Sequence, residues 1–174
     1  MLQAVDCVLL FKLIAQKESE MTHRDLAEKL FLSRATISVG LRRLLQSGLV
    51  RSEVETNRLL PVMAAAEEFI FHGLKYVFPA EVGKFTKGIA TGIAAPVFEG
   101  KLVLGNDPIF VWPYEHGKVK GLALKPLSPS VPKAVASSED RKFYDLLAFV
   151  DAMRQGRARE RNMAVELFKE VIKS

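Results

Sequence analysis

Arginines and small side chains share one face of a helix predicted over residues 33–47, and this combination can bind phosphate groups and base edges. At about 100° per residue, one side carries the apolar residues that we expect to face the core, Ile37, Leu41, Leu44 and Leu45. The opposite side has no acidic residue and holds Ala35, Thr36, Val39, Arg42, Arg43 and Gln46, with Ser38 on its flank. Small residues let a helix enter a DNA major groove, and arginines reach phosphates or guanine edges. Val39 would contact a thymine methyl group or, alternatively, a neighbouring segment of the chain.

A short helix is predicted just before this one. Thr22 and Asp25 have the spacing of a capping box, which starts a helix with an apolar face. A three-residue corner follows at 31–33, and Ser33 is well placed to cap the second helix. Gly48 suits the left-handed conformation found just past a helix end. Two short helices joined by so brief a turn predict a helix-turn-helix.

After Gly48 the pattern becomes extended, and residues 49–51 and 58–62 can pair as two strands around a Glu-Thr-Asn turn. The sequence therefore predicts a winged helix-turn-helix. The segment from about Val5 to Val62 resembles bacterial MarR-type winged-helix regulators, through its LAEKL, SRATISVGLRRL and GLVR stretches. The resemblance implies a set of DNA-facing residues, with Arg58 near the wing tip: Ser33, Arg34, Thr36, Ser38 and Arg42.

Composition agrees with a partner of negative charge. The chain has 174 residues and a net charge of +5, with a pI near 9.4. Residues 22–51 hold six Arg or Lys against two acids, so much of the excess lies in the predicted helix-turn-helix. Wing residues Glu53 and Glu55 would be repelled by phosphate unless they point away. No apolar run reaches membrane-spanning length, so we expect a cytoplasmic protein without membrane contact.

Cys7 lies in an apolar helical stripe, where we expect a core residue; a redox-sensing thiol is the alternative.

The rest of the chain changes character twice. Residues 63–78 predict a connecting helix, and residues 79–136, rich in Gly and Pro, predict short strands and loops. Trp112 would be either a core side chain or part of a pocket wall. From Ser137 onward, two apolar stripes predict a helical hairpin, and four arginines lie at its corner: Arg154, Arg157, Arg159 and Arg161. Salt bridges or a bound phosphate would explain the arginines. The fold class is thus α+β, with domains at 1–62 (DNA binding) and 79–174 (dimerisation, sensing or partner binding).

No pattern of residues points to catalysis or to a bound cofactor. GIATGIAAP lacks the lysine of a phosphate-binding loop, and the three histidines are far apart beside a single cysteine, so we expect no metal site. His116, next to Glu115, is a weak acid–base candidate that a solvent-exposed turn explains as well. We therefore expect no enzyme activity, no cofactor and no metal.

Two functions are consistent with these patterns. One is a transcriptional regulator that binds double-stranded DNA as a homodimer, with the helix at 33–47 in the major groove. From Lys75 onward the chain also resembles uncharacterised bacterial winged-helix proteins, some similar to abortive-infection antitoxins, through stretches such as VWPYEHG and LKPLSPSVPKA. That resemblance implies the alternative, an antitoxin-like protein that holds a protein partner and binds DNA for autoregulation.

Overall fold

The computed structural model describes residues 1–17 and 19–174, and it has the expected α+β architecture. The N-terminal part contains α1 (Ala4–Ala15), α2 (His23–Leu30), α3 (Arg34–Gln46), β1 (Val50–Ser52) and β2 (Leu59–Pro61). A connecting helix follows, made of α4 (Met63–Glu68), a π-helical turn (Phe69–Gly73) and α5 (Leu74–Val77). The C-terminal part contains β3 (Val82–Thr91), β4 (Phe110–Pro113), β5 (Val119–Leu124), α6 (Val131–Ala136), α7 (Arg141–Gln155) and α8 (Ala158–Lys173).

The helix-turn-helix has the caps that the sequence predicts. Thr22 accepts a hydrogen bond from the Asp25 amide, and the Asp25 carboxylate accepts one from the Thr22 amide. The Ser33 hydroxyl accepts a hydrogen bond from the Thr36 amide at 3.0 Å. Gly48 ends this unit with a φ of 74°, a conformation that costs glycine little. These local contacts fix where α2 and α3 begin and where α3 ends.

The wing is a two-stranded antiparallel hairpin. Val50 pairs with Pro61 and Ser52 with Leu59, so the strands leave α3 in the predicted register. Asn57, at a φ of 54°, lies in the turn between them, where its side chain is one of the few that tolerate a left-handed backbone. The residues of the predicted Glu-Thr-Asn turn therefore do form the tip of the wing.

Helix α1 lies at the centre of the molecule. Nine of its residues are buried, including both charged ones, Asp6 and Lys12. On one side α3 approaches closely at Gly40, where an added Cβ atom would lie 2.5 Å from Leu9 Cδ1. On the other side Lys12 Nζ contacts Asp140 Oδ2, at the N-terminus of α7, at 2.6 Å. One apolar core therefore runs from the helix-turn-helix through α1 into the C-terminal helices.

The Gly- and Pro-rich region forms strands, as its short apolar runs predict, and the structure shows that the three strands close into a small sheet. β3 pairs antiparallel with both β4 and β5, and β4 and β5 pair parallel with each other. Thr91 and Trp112 anchor this sheet to α7, because both donate hydrogen bonds to the buried Asp151 carboxylate, at 2.8 and 2.7 Å. Trp112 is 1% exposed, so it is a core side chain rather than a pocket wall. Helices α7 and α8 form the predicted hairpin, which breaks at Gly156.

Candidate nucleic-acid interface

The outward face of α3 presents small and basic side chains to solvent. Arg34, Ala35, Val39 and Arg42 are exposed, while Thr36 and Ser38 are half-buried. Ser33 is exposed as well, and its hydroxyl lies 2.8 Å from the Thr36 hydroxyl in addition to capping the helix. The face that the sequence predicted to be outward is therefore largely accessible to a ligand.

The exposed arginines of this face have no ion-pair partner in the part of the chain that the structure describes. Among the described residues, no carboxylate lies within 4 Å of Arg34, Arg42 or the neighbouring Arg51. Arg51 is exposed on β1, where the chain enters the wing. Arg51 was not among the residues expected at the interface. Its position on the first strand of the wing, shortly after the end of α3, could have indicated a place at the interface.

Arg43 differs from the expectation that it faces outward. Its Nε and Nη2 atoms each lie 2.7 Å from a carboxylate oxygen of Asp6, and Asp6 itself is fully buried on α1. The Arg43 side chain is only 22% exposed. The Asp6 carboxylate already uses the charge and the hydrogen-bonding capacity of Arg43, so its role here is to hold α3 against α1.

The predicted phase of α3 was wrong by part of a turn. Leu45, expected in the core, is 39% exposed, whereas Gly40 is buried together with Ile37, Leu41 and Leu44. Because Gly40 has no side chain, α1 packs directly against the α3 backbone at this point. The helix is therefore rotated toward Gly40, which brings Arg43 to α1 and moves Leu45 away from the core.

Arg58 lies near the wing tip, as expected, since its carbonyl oxygen accepts a hydrogen bond from the Glu53 amide at 2.8 Å, but its side chain is engaged within the protein. It is half-buried, and its guanidinium donates hydrogen bonds to the carbonyl oxygens of Lys17 and Ser19, the latter at 3.0 Å. It thereby joins the wing to the residues that follow α1. The tip itself carries Glu53, whose carboxylate accepts a hydrogen bond from Thr56 at 2.6 Å, and the 96% exposed Val54. Because the Arg58 guanidinium is bound to backbone carbonyl oxygens and Arg51 is exposed, Arg51 is the better candidate in the wing for a contact with DNA.

The corner between α2 and α3 is supported by a contact with α6 that no local sequence pattern predicts. Phe31 occupies a left-handed conformation, at a φ of 52°, and the Lys133 ammonium from α6 lies 4.5 Å from the centre of its ring. A cation over an aromatic face is attractive. No spacing in the sequence links residues 31 and 133, because the contact depends on how the C-terminal part packs.

The arginines at the corner of the C-terminal hairpin have separate roles. Arg154 is almost fully buried, pairs with Asp151 at 2.8 Å, and donates to the carbonyl oxygens of Phe78 and Pro79. Arg157 is 85% exposed, with Asp107 at 3.8 Å, and Arg161 donates to the Gly156 carbonyl. Arg154 therefore joins α7 to the end of the connecting helix, and the four arginines do not converge on one phosphate site.

Cys7 is a core residue, as its position in an apolar stripe predicts. It is 1% exposed, and burial, with a contribution from the neighbouring Asp6, raises the pKa of its thiol to about 12. Reactive cysteines are thiolates that reagents can reach. The redox-sensor alternative is therefore not supported.

The comparison with known families agrees with this geometry. Residues 13–51 match the winged helix-turn-helix DNA-binding family, and this segment contains α2, α3 and the first residues of β1. No curated protein and no solved structure shows significant similarity to the chain. The N-terminal part therefore has a winged helix-turn-helix fold, and the match supports a DNA-binding regulator in general. In the described part of the chain, no helix combines the length and the apolar character needed to cross a membrane.

Proposed function

We propose that the protein is a sequence-specific transcriptional regulator of the MarR type that binds double-stranded DNA through α3. The observation that carries this proposal is the acid-free outward face of α3, where Arg34 and Arg42 have no carboxylate partner among the described residues. Because that partner would be the chromosome, we place the protein in the cytoplasm and assign it no catalytic role.

In the proposed complex, the N-terminal half of α3 lies in the major groove. Ala35 allows close approach, and the exposed Val39 contacts a thymine methyl group. Ser38 and Thr36 offer hydroxyl groups to base edges or phosphates, while Arg42 and Arg51 contact phosphates on either side of the groove. Phosphate contacts set the position of the helix, and base contacts select the sequence.

The test is duplex binding measured by fluorescence anisotropy against DNA from the promoter region of the protein's own gene. Replacing Arg34 and Arg42 with Ala should weaken binding at least tenfold, since each lost contact costs about 1–3 kcal/mol. The matched control removes two exposed arginines far from α3, through Arg157→Ala and Arg159→Ala. Equal affinity of the Arg34/Arg42 variant and the control variant would contradict the assigned face, provided that both have the circular dichroism of the original protein.

We further propose that the protein binds DNA as a homodimer. One α3 reads only a few base pairs, and helix-turn-helix proteins commonly gain specificity by placing two such helices on a pseudo-palindrome. Exposed apolar residues at the end of the connecting helix, Tyr76 and Val77, support an interface there, at 74% and 53% exposure. Sedimentation at tens of micromolar should give a dimer that Tyr76→Lys disrupts, whereas a monomer with and without DNA would contradict this proposal.

The C-terminal part, residues 79–174, would then carry the dimer contacts or a signal. A cavity of about 450 Å³ supports sensing, because it lies between the end of the connecting helix, the sheet and α6, and also borders Ala4 of α1. Helix α1 holds Asp6, the partner of Arg43 on α3. A ligand in this cavity would therefore lie one helix away from the DNA-facing element.

The alternative function, an antitoxin-like protein with a protein partner, draws support from apolar residues exposed before β4. Val103 is 86% exposed and Ile109 is 37% exposed. A stoichiometric partner that co-purifies with the original chain, and is lost on Val103→Glu, would favour this function. Retention of the duplex affinity in that variant would show that partner binding and DNA binding use different surfaces.

A further inference from the structure

One face of the small sheet carries cations and an exposed aromatic ring. In the antiparallel register of β3 and β5, Phe85 lies opposite Leu122, and Lys87 lies opposite Lys120. Residues two apart on a strand share a face, so these four side chains form one surface, which we call the lysine face. Phe85 is 68% exposed, and both lysines are exposed as well. Three of the four side chains are therefore open to solvent, and Leu122 is half-buried beside them.

The lysine face lies on the same side of the small sheet as residues that α7 covers, but beyond the end of the covered area. Further along β3, Thr91 has the same strand phase as Phe85 and Lys87, and it donates a hydrogen bond to Asp151 of α7. Helix α7 thus covers one end of this side of the sheet and leaves the other end bare. The exposed phenylalanine at that end leaves about two-thirds of its surface in water, so burial on folding accounts for little of it.

The charges on this face are not balanced inside the protein. Like charges directly opposite each other on paired strands are destabilising, and Lys87 and Lys120 stand in that relation. In the described residues, neither these lysines nor the nearby Lys84 and Lys118 have a carboxylate within 4 Å. The acids of the region are engaged elsewhere: Glu81 with Lys125, Glu115 with His116, and Asp107 with Arg157. An external anion would relieve the repulsion.

The lysines, unpaired among the described residues, together with the exposed phenylalanine favour one kind of ligand for this face. A second copy of the chain in a two-fold contact would bring the same lysines face to face. An acidic peptide would match the charge but gives no role to the Phe85 ring. A single strand of nucleic acid matches both features, because its phosphates pair with lysines and its unstacked bases stack on an aromatic side chain. Duplex DNA keeps its bases stacked inside and offers phosphates alone.

The lysine face is also separate from the proposed duplex-binding face. Helix α3 packs on α1, α1 packs on α7 through Lys12 and Asp140, and α7 packs on β3 through Asp151 and Thr91. Two helices therefore lie between α3 and the sheet. Loss of one surface should leave the other intact.

We propose that the lysine face is a second nucleic-acid site, specific for single strands, in which Lys87 and Lys120 contact phosphates and Phe85 stacks on a base. Lys118, two positions before Lys120, lies on the same side and adds to the attraction of the backbone. The site is independent of the function proposed for α3, and it takes RNA or DNA through the same chemistry.

The test measures binding of the full chain to labelled oligo(U) and oligo(dT) of about 15 nucleotides, a length within the usual range of single-strand sites. Phe85→Leu should weaken binding about fivefold or more, and Phe85→Tyr should retain it, because only the aromatic ring stacks. Lys87→Gln combined with Lys120→Gln should lower affinity and reduce the slope of log K against log salt by about 1.4, the value for two phosphates of a single strand. The matched control is Lys169→Gln with Lys173→Gln on α8, two exposed lysines away from the sheet.

The outcomes separate this site from α3 and from other occupants. Arg34→Ala with Arg42→Ala should leave single-strand binding unchanged while duplex binding falls, and comparison of the two oligonucleotides tells whether RNA or DNA binds better. The proposal is overturned by absence of binding at tens of micromolar, by equal affinity of the Phe85→Leu and Phe85→Tyr variants, or by equal loss in the α8 control. It is also overturned if Phe85→Leu converts a dimer to a monomer, which assigns the face to a second copy. Displacement of oligo(U) by polyglutamate, with no dependence on Phe85, would assign it to an acidic protein.

Discussion

Arg43 and Asp6 form a two-point ion pair that ties α3 to α1. Arg43 Nε lies 2.7 Å from Asp6 Oδ2, and Arg43 Nη2 lies 2.7 Å from Asp6 Oδ1. Asp6 also accepts a hydrogen bond from the Gln3 amide at 2.7 Å, so its buried carboxylate is well satisfied. The pair sets the orientation of α3 on α1, and with it the side chains that α3 presents outward.

Removing Arg43 should therefore affect stability before it affects DNA contacts. Arg43→Ala leaves the Asp6 carboxylate buried without its partner, which costs about 3 kcal/mol for an ion pair of this kind. Urea unfolding should show that loss, whereas Arg42→Ala, on the exposed side of the same turn, should change stability by less than about 0.5 kcal/mol. A double-mutant cycle that combines Arg43→Ala with Asp6→Ala should give a coupling energy of about 2 kcal/mol. Strictly additive effects would mean that the two charges do not depend on each other.

The rotation of α3 can be tested with two leucines. Leu41→Ala should destabilise the protein by about 2–5 kcal/mol, because Leu41 is 3% exposed and its removal leaves a cavity. Leu45→Ala should cost less than about 1 kcal/mol, because Leu45 is 39% exposed. Thermal melting of both variants measures the difference. Equal losses would support the phase first expected from the sequence.

Asp140 should make stability depend on pH in the acid range. Burial alone would raise the pKa of its carboxyl, but hydrogen bonds from Lys12, the Phe143 amide and Gln16 lower it below the ordinary value. In the unfolded chain an aspartate carboxyl has a pKa of about 4. A carboxyl whose pKa is lower in the folded state stabilises the fold at pH values above that unfolded pKa. This stabilisation is lost as the pH falls through the folded-state pKa. Asp140→Asn, which keeps a good helix cap, should thus cost about 3 kcal/mol at neutral pH and less at about pH 2.

A second carboxyl on the same helix provides the control for this pH dependence. Burial raises the pKa of Asp145, so its ionised form is disfavoured in the folded state. Relative to Asp145→Asn, the original protein should lose stability as pH rises, the opposite trend to Asp140. Chemical unfolding at both pH values measures the two trends, and the same trend for both variants would contradict the assignment of Lys12 as the partner of Asp140.

The helix-turn-helix and wing should not fold cooperatively without the C-terminal part. A fragment of residues 1–62 would expose the side of α1 that packs on α7, and Lys12 would lose Asp140. Small fragments bury too little apolar surface to offset chain entropy. Circular dichroism should therefore show a broad melting transition for the fragment beside a sharp one for the full chain. A sharp transition in the fragment would support residues 1–62 as an autonomous domain.

Much of the fold follows from local sequence, because capping and turn formation depend on residues only a few positions apart. Thr22 with Asp25, Ser33 before α3, and Gly48 after it predicted the limits of the helix-turn-helix, and the Glu-Thr-Asn turn predicted the wing. The strands of residues 79–136 were predicted from short apolar runs between glycines and prolines, and the C-terminal hairpin from its two apolar stripes. These features have their physical causes within one or two turns of the chain, so the sequence displays them directly.

The roles of the basic residues were decided by tertiary packing. The sequence alone determined that α3 has an apolar and an acid-free side, but helical periodicity could not show that Gly40 would admit α1 and turn Arg43 toward Asp6. Arg58 and Arg154 were equally ambiguous, because an arginine has the same local preferences whether it binds phosphate or a carbonyl oxygen. Its partner, such as Ser19 for Arg58 or Phe78 for Arg154, lies 39 or 76 positions away. Only the folded arrangement of α1, the wing and α7 brings those groups within hydrogen-bonding distance, since such contacts depend on long-range geometry that no local pattern records.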